Sequence, residues 1–490
     1  MDLIRNYING ELVDPVSKDH FENFDPATGE SYSVVPDSDE RDVNEAVKAA
    51  NRAFPEWSSM KTELRSEIML KIAELIKRDS TELARAESVD NGKPISLAKE
   101  VDIPRAIKNF EFFATAILHF ASESHSTNDE AINYTLRQPL GIVGAISPWN
   151  LPLYLFTWKI APALATGNCV VAKPSELTPM TAFMFSELCI EAGLPKGVLN
   201  VIHGYGNKVG RAISSHPDIK AITFTGGTKT GADIAGIAAP MFKKLSLELG
   251  GKNPNIIFAA CLPAEASAQA GDYDNMLEST VQSSFRNQGE ICLCGSRISI
   301  EHSLYDKFKK DFIARVKKLR IGDPLESSTE QGAIVSKQHM EKILSYIELA
   351  KQEGGKILCG GNQVKLEGRC ESGWFIEPTV IEGLPYNCRT NQEEIFGPVV
   401  TLIPFETEDE AIMMANSTDY GLASIIWTEN LSRAHRVASK IQTGIVWINC
   451  WMLRDLRTPF GGMKNSGVGR EGGLEALRFF TEQKNICVKI

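Results

Sequence analysis

The chain has 490 residues, a formal net charge of −10 at pH 7 and a pI near 5.5. Its composition, 43% hydrophobic and 23% charged, is ordinary for a globular protein, and its length allows roughly two to four domains. The acidic balance disfavours a nucleic-acid-binding protein, which shows a basic face. No apolar run reaches the roughly 20 residues of a membrane span. The N-terminal stretch MDLIRNYINGELVD lacks the pattern of a targeting segment, so we expect a cytoplasmic protein that does not contact membranes.

Hydrophobic periodicity predicts amphipathic helices over 61–87 and 100–122, then an extended stretch over 128–137. Between about 138 and 260, short apolar runs alternate with helical stretches. The predicted strands are LGIVGAI, NCVVAK, VLNVI, KAITFTG, KKLSLEL and NPNIIF, and the predicted helices cover 151–165, 179–192, 207–215 and 228–239. This alternation indicates an α/β fold with a parallel sheet covered on both faces, a nucleotide-binding type of layout.

A second α/β region is predicted from about 277 to 449, followed by an extended tail after Thr481. Its candidate strands are RISIEH, GPVVTLIPF, LASIIW and GIVWIN. The chain therefore divides into two α/β regions with extended segments between and after them.

Glycine-rich loops follow two strands of the first region. The loop HGYGNKVG supplies Gly204, Gly206 and Gly210, and the loop FTGGTKTG supplies Gly226, Gly227 and Gly231. Glycine lets the backbone approach a ligand closely, and ligands gather at the carboxyl ends of parallel strands. Each loop alone is equally compatible with an ordinary strand-to-helix connection.

Lys173 and Glu176 lie just past another strand, in VVAKPSELTP. A lysine there can bind ribose hydroxyls, and a carboxylate accepts from a ribose 2′-OH and repels a 2′-phosphate, which favours NAD over NADP. The alternative is an exposed lysine beside a helix-capping glutamate.

The segment NQGEICLCGSR holds Cys292 and Cys294, one residue apart. The pair has three readings: a metal clip, half of a disulfide, or a nucleophile with a neighbour. No second Cys/His pair with zinc spacing lies nearby, and ten scattered cysteines in a chain of this length do not form a disulfide scaffold, so we expect no metal site. A reactive thiol or two buried thiols remain.

Two more residues suit the chemistry of a thiol nucleophile. Glu248, in LELGGKNP, is a carboxylate in an apolar strand, where partial burial raises the pKa toward a value suited to a general base. Asn150, in SPWNLP, is held between two prolines, and its carboxamide is a donor of the kind that an oxyanion hole needs. The alternatives are a strand-end glutamate in water and a helix-capping asparagine. Together the three residues form a set suited to aldehyde oxidation.

The sequence resembles the aldehyde dehydrogenase superfamily over its whole length. The matching stretches, in order, are SPWNLPL, GNCVVAKPSELTP, FTGGTKTG, LELGGKNP, NQGEICLCGSR, EEIFGPVV and PFGGMKNSGVGRE. The resemblance implies a Rossmann-like NAD-binding domain over 1–120 and 140–258 and an α/β catalytic domain over 259–460. It also implies a β-arm for oligomerisation over 121–139 and 474–490, and a homodimer or homotetramer.

The resemblance assigns roles to residues. Cys292 is the nucleophile, Glu248 the base and Asn150 the oxyanion donor, while Cys294 falls where the family varies. The positions expected to contact NAD are Ile146, Ser147, Pro148, Trp149, Lys173, Glu176, Gly206, Gly210, Phe224, Gly226, Gly227, Gly231, Glu394 and Phe396.

Two arginines point to the substrate. Arg454, in NCWMLRDL, and Arg105, in EVDIPRAIKNFEFF, fall where the family lines its substrate tunnel. With GEICLCGSR and NCWMLRDL they resemble the branch that oxidises 2-aminomuconate and 2-hydroxymuconate semialdehydes, small aldehydes with a distal carboxylate that arginine binds well. The alternatives are a salt bridge between Arg454 and Asp455 or another acid, and a solvated helix face for Arg105.

Other readings stay open. A broad-specificity or retinal-type aldehyde dehydrogenase is the runner-up, and a CoA-acylating enzyme or a non-catalytic homologue with a binding or structural role ranks lower. The segment 259–277, AACLPAEASAQAGDYDNML, is longer than the family usually has there and is predicted as a surface loop.

Overall fold

An eight-stranded sheet dominates the first half of the chain in the computed structural model, which describes residues 2–259 and 270–490. Its parallel strands lie in the order Lys244–Glu248, Ile219–Thr225, Ile142–Ile146, Cys169–Lys173 and Leu199–Val201. The chain starts in the centre, runs outward to one side and returns to the other. A crevice therefore opens at the carboxyl ends of Ile142–Ile146 and Ile219–Thr225, where the strand order reverses. The predicted parallel sheet is confirmed.

Strands from both ends of the chain extend this sheet. Asn6–Ile8 and Glu11–Val13 add antiparallel strands beside Leu199–Val201. On the opposite edge, Gly467–Val468 pairs antiparallel with Leu247 and Glu248. The motif PFGGMKNSGVGRE thus reaches the strand that carries the predicted base.

A seven-stranded sheet forms most of the second half. Its order is Lys356–Cys359, Thr379–Glu382, Val399–Phe405, Arg297–Glu301, Pro254–Ile257, Ala423–Trp427 and Ile445–Ile448, and every neighbouring pair is parallel except the first. The predicted strand NPNIIF was assigned to the wrong sheet, because Pro254–Ile257 pairs with strands of this one. Its apolar composition identifies a buried strand but not its neighbours, and the first sheet ends at Glu248.

Three antiparallel strands form an arm. Its central strand is Ala131–Pro139, which pairs with Ser124–Thr127 on one side and with Thr481–Lys489 on the other. In the second pair, Ala131 lies opposite Lys489 and Pro139 opposite Thr481. The predicted extended segments are confirmed. The first part of the predicted arm 474–490 is instead the helix Gly473–Phe479.

Helices cover the sheets, and the remaining strands form smaller sheets of two or three strands. The α-helices are Glu40–Ser59, Thr62–Arg78, Ser80–Asn91, Ile95–Leu97, Ile103–Ala116, Pro152–Ala165, Met180–Glu191, Arg211–Ser215, Thr228–Ala238, Ala270–Phe285, His302–Val316, Lys337–Gln352, Arg389–Gln392, Glu408–Asn416, Leu431–Lys440 and Gly473–Phe479. The 3₁₀ and π turns are Ala98–Asp102, Ile117–His119, Gly206–Gly210, Ala239–Met241, Arg286–Gly289 and Gly368–Cys370. The remaining strands are Asp2–Leu3, His20–Asp25, Glu30–Pro36, Gln363–Val364, Phe375–Ile376, Tyr420–Gly421 and Met463–Lys464.

Three predicted elements differ from the structure. The helix predicted over 61–87 is two helices that meet at Asp79, and the one over 100–122 has its regular α-helical part at Ile103–Ala116. The predicted loop 259–277 is wrong from residue 270 onward, where the helix Ala270–Phe285 begins. Met276 and Leu277 are buried, so packing favours a helix where the composition suggested a loop. Residues 260–269 lie outside the described part of the chain.

One hydrophobic core joins the two sheets. It runs from Ile222 of the first sheet to Ile298 of the second and includes Phe285 of the helix between them. This shared core fixes the crevice of one sheet against the loops of the other. Among the described residues, none of the helices combines the length and apolar character that crossing a membrane would require.

Candidate active site

Cys292 lies in a loop whose backbone is held on both sides. Before it, Asn287 and Gln288 adopt positive φ angles of 54°, a conformation that side chains rarely take. After it, the side-chain amide of Asn253 donates to the carbonyl oxygens of Cys292 and Cys294 at 2.7 and 2.9 Å. The strained and pinned loop places the thiol in a defined position.

Burial raises the pKa of the Cys292 thiol, and the nearby carboxyl groups of Glu394 and Glu248 raise it further, while Arg454 lowers it. The thiol is therefore protonated at rest and needs a base to become a nucleophile. Cys292 and Cys294 are both free. In the described ranges, no group of His, Cys, Asp or Glu is arranged to hold a metal ion.

Glu248 ends the strand Lys244–Glu248 and is buried. Neither of its carboxyl oxygens has a hydrogen-bond partner in the described residues. Burial raises its pKa well above the usual value, and Glu471 raises it further, against the lowering effects of Lys159, Arg470 and Arg454. A buried, unpartnered carboxyl group is costly to a fold and is typical of a site where proton transfer is needed.

A polar cluster that the sequence did not reveal lies behind Glu248. The Lys159 ammonium donates to Glu471 Oε1 at 2.9 Å and to Thr223 Oγ1 at 3.1 Å, and Thr223 Oγ1 donates to Glu471 Oε1 at 3.0 Å. Glu471 belongs to the motif PFGGMKNSGVGRE, which gave no sign of a second buried acid. The cluster sets the charge around the predicted base.

Asn150 is buried and fixed at both its backbone and its side chain. Its Nδ2 donates to the Glu290 carbonyl at 3.0 Å, which leaves one N–H of the amide for a ligand. Its main-chain oxygen accepts from Lys93 Nζ at 3.0 Å and from Asn287 Nδ2 at 3.1 Å. The helix-capping alternative finds no support, since the helix Pro152–Ala165 has no side-chain cap.

Two adjoining cavities meet near the thiol. One, of about 220 Å³, is lined by Cys292, Asn150, Trp149, Glu394 and Phe396, among others. The other opens in the crevice of the first sheet and has a volume of about 1050 Å³. The predicted NAD-contacting residues that line it are Ile146, Ser147, Pro148, Trp149, Lys173, Glu176, Gly206, Gly210, Phe224, Gly226 and Gly227.

The details of the larger cavity fit a dinucleotide. The Lys173 ammonium pairs with Glu176 at 2.8 Å, so a carboxylate and an ammonium stand together where ribose hydroxyls would bind. The pKa of Glu176 is raised by burial but lowered overall by Lys173. A Cβ at Gly227 would meet no atom within 4 Å and would occupy ligand space.

Gly231 does not line either cavity. A Cβ on Gly231 would lie 2.4 Å from Leu249 Cδ2, so this glycine permits close helix–strand packing. The expectation of a cofactor contact at Gly231 is therefore corrected to a packing role.

The smaller cavity has an aromatic and acidic wall. Trp149 and Phe396 meet edge to face with centroids 5.3 Å apart, and His339 Nε2 lies 2.6 Å from the Phe396 carbonyl oxygen. Glu394 Oε1 accepts from the Gly251 N–H at 2.7 Å. His339 also lines this cavity, and its burial lowers its pKa to about 4, which keeps it neutral. His339 was not predictable from the sequence, because a lone histidine carries no motif.

Arg454 lies in the wall of a third, narrow cavity together with Cys292 and Glu248. Its Nη1 donates to the Tyr154 hydroxyl at 2.7 Å, and its guanidinium lies 4.0 Å from the centroid of Phe460. The predicted alternative, a salt bridge with Asp455, is wrong.

Asp455 instead pairs with Arg457, with contacts as short as 2.6 Å. This leaves the Arg454 guanidinium beside the aromatic rings of Trp158 and Phe460.

Arg105 lies next to Arg454. Its guanidinium is 5.3 Å from the ring centroid of Tyr154 and 5.4 Å from that of Trp158. Its Nε and Nη2 atoms are buried and have no hydrogen-bond partner in the described residues. Burial lowers its pKa, and the neighbouring charge of Arg454 lowers it further. The alternative of a solvated helix face is wrong. The contacts of Tyr154 with both arginines were not predictable from the sequence.

Similarity to known proteins identifies the family of the chain. The model named "Aldehyde dehydrogenase family" matches residues 12–486. The chain belongs to the aldehyde dehydrogenase family. The family and fold expected from the motifs are confirmed.

Full-length relatives carry muconic semialdehyde names. The 2-aminomuconic semialdehyde dehydrogenase of Danio rerio is 49% identical over 490 residues, covering 99% of this chain and 98% of the relative. The 2-hydroxymuconic semialdehyde dehydrogenase of Pseudomonas sp. (strain CF600) is 45% identical over 496 residues and covers both chains fully.

A solved relative acts on a different aldehyde. The indole-3-acetaldehyde dehydrogenase of P. syringae, in complex with NAD+ and IAA, superimposes with a TM-score of 0.95 at 39% identity, covering 99% of this chain and 96% of that one.

Proposed function

We propose that this aldehyde dehydrogenase oxidises a small aldehyde that carries a distal carboxylate, with NAD as the electron acceptor and a muconic semialdehyde as the substrate. The observation that carries the proposal is the pair Arg105 and Arg454, two neighbouring guanidinium groups without a carboxylate partner among the described residues. Arg454 shares its cavity with Cys292. The names of the full-length relatives support the same class of substrate.

The first half of the reaction joins the aldehyde to the enzyme. Glu248 accepts the proton of the Cys292 thiol, directly or through water, and the sulfur bonds to the aldehyde carbon. The oxygen becomes an oxyanion that the free N–H of Asn150 and the Cys292 backbone N–H stabilise. NAD, when bound in the crevice, supplies the acceptor for the hydride that leaves this carbon. The carbonyl re-forms and Cys292 carries a thioester.

The second half releases the product. Glu248 first releases the proton of the thiol to solvent and then takes a proton from water. The resulting hydroxide adds to the thioester carbon, the carbon–sulfur bond breaks, and the Cys292 thiolate that leaves takes the proton back from Glu248. The products are the carboxylic acid and the free enzyme. The buried carboxyl of Glu248 favours this hydrolysis over transfer to CoA. Asn150 and Glu248 line two cavities that share Cys292, and this arrangement argues against a non-catalytic homologue.

The substrate carboxylate is held at the end of the cavity away from the thiol. Charge-assisted hydrogen bonds are strongest where water is excluded, and both arginines sit between aromatic side chains. A neutral or retinal-like aldehyde would leave them unpaired, so the broad-specificity alternative lacks a partner for these charges.

Replacing Arg454 tests the proposal. Because a hydrogen bond to a charged group contributes about 1.5–3 kcal/mol, Arg454→Met should lower kcat/KM for 2-hydroxymuconate semialdehyde by roughly 10- to 100-fold. Turnover of propanal should fall less, because propanal has no carboxylate contact to lose and only the effect of Arg454 on the pKa of Cys292 and Glu248 remains. Arg457→Met is the matched control, since Arg457 is exposed and already paired with Asp455. Equal losses with both aldehydes would make Arg454 structural.

We also propose a homodimer or homotetramer in which the arm, Ser124–Thr127, Ala131–Pro139 and Thr481–Lys489, pairs with another subunit. Ile132, Tyr134 and Leu136 alternate along one exposed face of its central strand. Apolar residues on an exposed sheet are typical of an interface. The cytoplasmic location expected from the sequence stays a prediction.

A further inference from the structure

A buried ion cluster lies beneath the active site and lines none of its cavities. Glu87, Lys93 and Asp102 have side chains with no exposed surface. Lys93 Nζ hydrogen-bonds to Asp102 and lies 3.6 Å from Glu87 Oε1. Burying such charges costs free energy, and apolar residues of similar volume often serve a fold as well. The cluster therefore calls for a role beyond packing.

Each member of the cluster holds a different part of the site. Lys93 Nζ donates to the main-chain oxygen of Asn150 at 3.0 Å. Glu87 Oε2 accepts the Leu153 N–H at 3.3 Å, at the start of the helix Pro152–Ala165. That helix carries Tyr154, the partner of Arg454.

The third member is connected to the other arginine. Asp102 immediately precedes the helix Ile103–Ala116, which carries Arg105. Lys93 is thus bonded at the same time to the loop of Asn150 and to the beginning of the Arg105 helix. One ammonium group connects the reacting end of the substrate cavity to its arginine end.

The contact with Asn150 matters because of how an oxyanion donor works. Lys93 Nζ and Asn287 Nδ2 both donate to the Asn150 carbonyl, which fixes the orientation of that peptide. The side-chain amide is fixed separately through the Glu290 carbonyl. A preorganised donor costs no rearrangement when charge develops on the substrate, so loss of one anchor should slow the reaction without changing the thiol.

We propose that Lys93 is a positioning residue for aldehyde oxidation. By bonding to both Asn150 and Asp102, it holds the oxyanion donor in place relative to the helix Ile103–Ala116, which carries Arg105. The inference rests on the role of Asn150 in the proposed function. Lys93 lines none of the cavities around Cys292, so with a substrate that has no carboxylate for the arginines its effect passes through Asn150.

A double-mutant cycle with propanal tests this path. Since a displacement of about 1 Å in an active site can cost 10²-fold in rate, Lys93→Met should lower kcat by roughly 10- to 100-fold. Asn150→Ala should lower it as much or more. Lys93→Met combined with Asn150→Ala should be no slower than Asn150→Ala alone, because residues that act as one unit are non-additive. Propanal carries no carboxylate, so the result does not depend on the arginine pair.

Two controls separate positioning from damage to the fold. Alkylation of Cys292 by iodoacetamide, followed by mass spectrometry, is a direct displacement that needs no oxyanion donor, and Lys93→Met should leave its rate unchanged. Lys243→Met removes another buried lysine, which is bonded to the Ser214 and His216 carbonyls. Any loss of kcat that it causes should multiply with the loss caused by Asn150→Ala. If Lys93→Met does not fold, Asp102→Asn takes its place with the same expectation.

The outcomes are distinct. Multiplicative losses for Lys93→Met and Asn150→Ala overturn the inference and leave the proposed function intact. Normal turnover by Asn150→Ala overturns the proposed role of Asn150, and with it the inference. The positioning role is supported if Lys93→Met lowers kcat, adds no further loss to Asn150→Ala and leaves the alkylation rate of Cys292 unchanged.

Discussion

The protonation state of Glu248 determines when the second half of the reaction can proceed. Its raised pKa means that the carboxyl is protonated, and inactive as a base, over a wider range of pH than an exposed glutamate. The rate of thioester hydrolysis should therefore rise with pH as the group ionises and fall toward acid pH. Single-turnover measurements of acid release at several pH values report the rate of thioester hydrolysis separately from the rate of attack by the thiol.

Glu248→Gln removes the ionisable group. Because Glu248 is the base both for the thiol and for the hydrolytic water, the variant should form NADH slowly in a single turnover and hydrolyse the thioester slowly, at a steady rate that no longer rises with pH. Glu248→Asp, which keeps a carboxyl, is the matched variant. A steady rate with an unchanged pH profile in Glu248→Gln would remove Glu248 from the hydrolytic step.

Single residues with distinctive chemistry were predictable from the sequence. Cys292, Glu248 and Asn150 each lie in a short motif. The structure places Glu248 and Asn150 in cavities that the Cys292 thiol also lines. Lys93, Tyr154 and similar partners were not predictable, because their roles depend on contacts between segments distant in sequence. Gly231 shows the converse, since its loop is typical of ligand binding but its missing Cβ makes room for Leu249.

At the level of elements, one buried cation joins the strand after the thiol loop to a neighbouring helix. Arg297 donates to the carbonyls of Lys252, Met414 and Ala415, at 2.9–3.0 Å. The last two lie at the end of the helix Glu408–Asn416, where a cation is favourable. The Met414 carbonyl also accepts from Ser417 Oγ at 2.7 Å, so removal of the arginine would chiefly leave the carbonyls of Lys252 and Ala415 without their donor.

Arg297→Met should therefore destabilise the protein by about 3–5 kcal/mol, the usual cost of leaving buried polar groups unpaired at such a site. Thermal unfolding should show a clearly lower apparent Tm. Arg315→Met, which removes an exposed arginine paired with Asp274 and Glu278, should cost less than about 1 kcal/mol. Equal shifts in the two variants would contradict this account.

Strands and helices of the first sheet were predictable to within a few residues, because apolar strands alternate with amphipathic helices. Their partners were less so. The strand Pro254–Ile257 reads like its predecessors but belongs to the second sheet, and Gly467–Val468 joins the first sheet from the far end of the chain. Local patterns carry the type of an element, while long-range pairing decides its place.

For the whole molecule, the exposed face of the arm gives a direct expectation. Tyr134→Lys with Leu136→Lys places charges on the proposed interface and should reduce the molar mass in sedimentation equilibrium to that of a single chain. Thr135→Lys is the matched control, because residue 135 lies on the opposite face of the same strand. A monomeric wild type, or an unchanged mass in the double variant, would contradict the proposed assembly.

The central claim, that two unpaired arginines select an aldehyde with a distal carboxylate, is tested most directly on the wild-type protein. The measurement is kcat/KM for NADH formation with 2-hydroxymuconate semialdehyde and with a neutral aldehyde of similar length. Since charged hydrogen bonds contribute about 1.5–3 kcal/mol each, we predict a preference for the anionic substrate of at least roughly 10-fold. Equal or reversed values would contradict the account and leave Arg105 and Arg454 with a structural role.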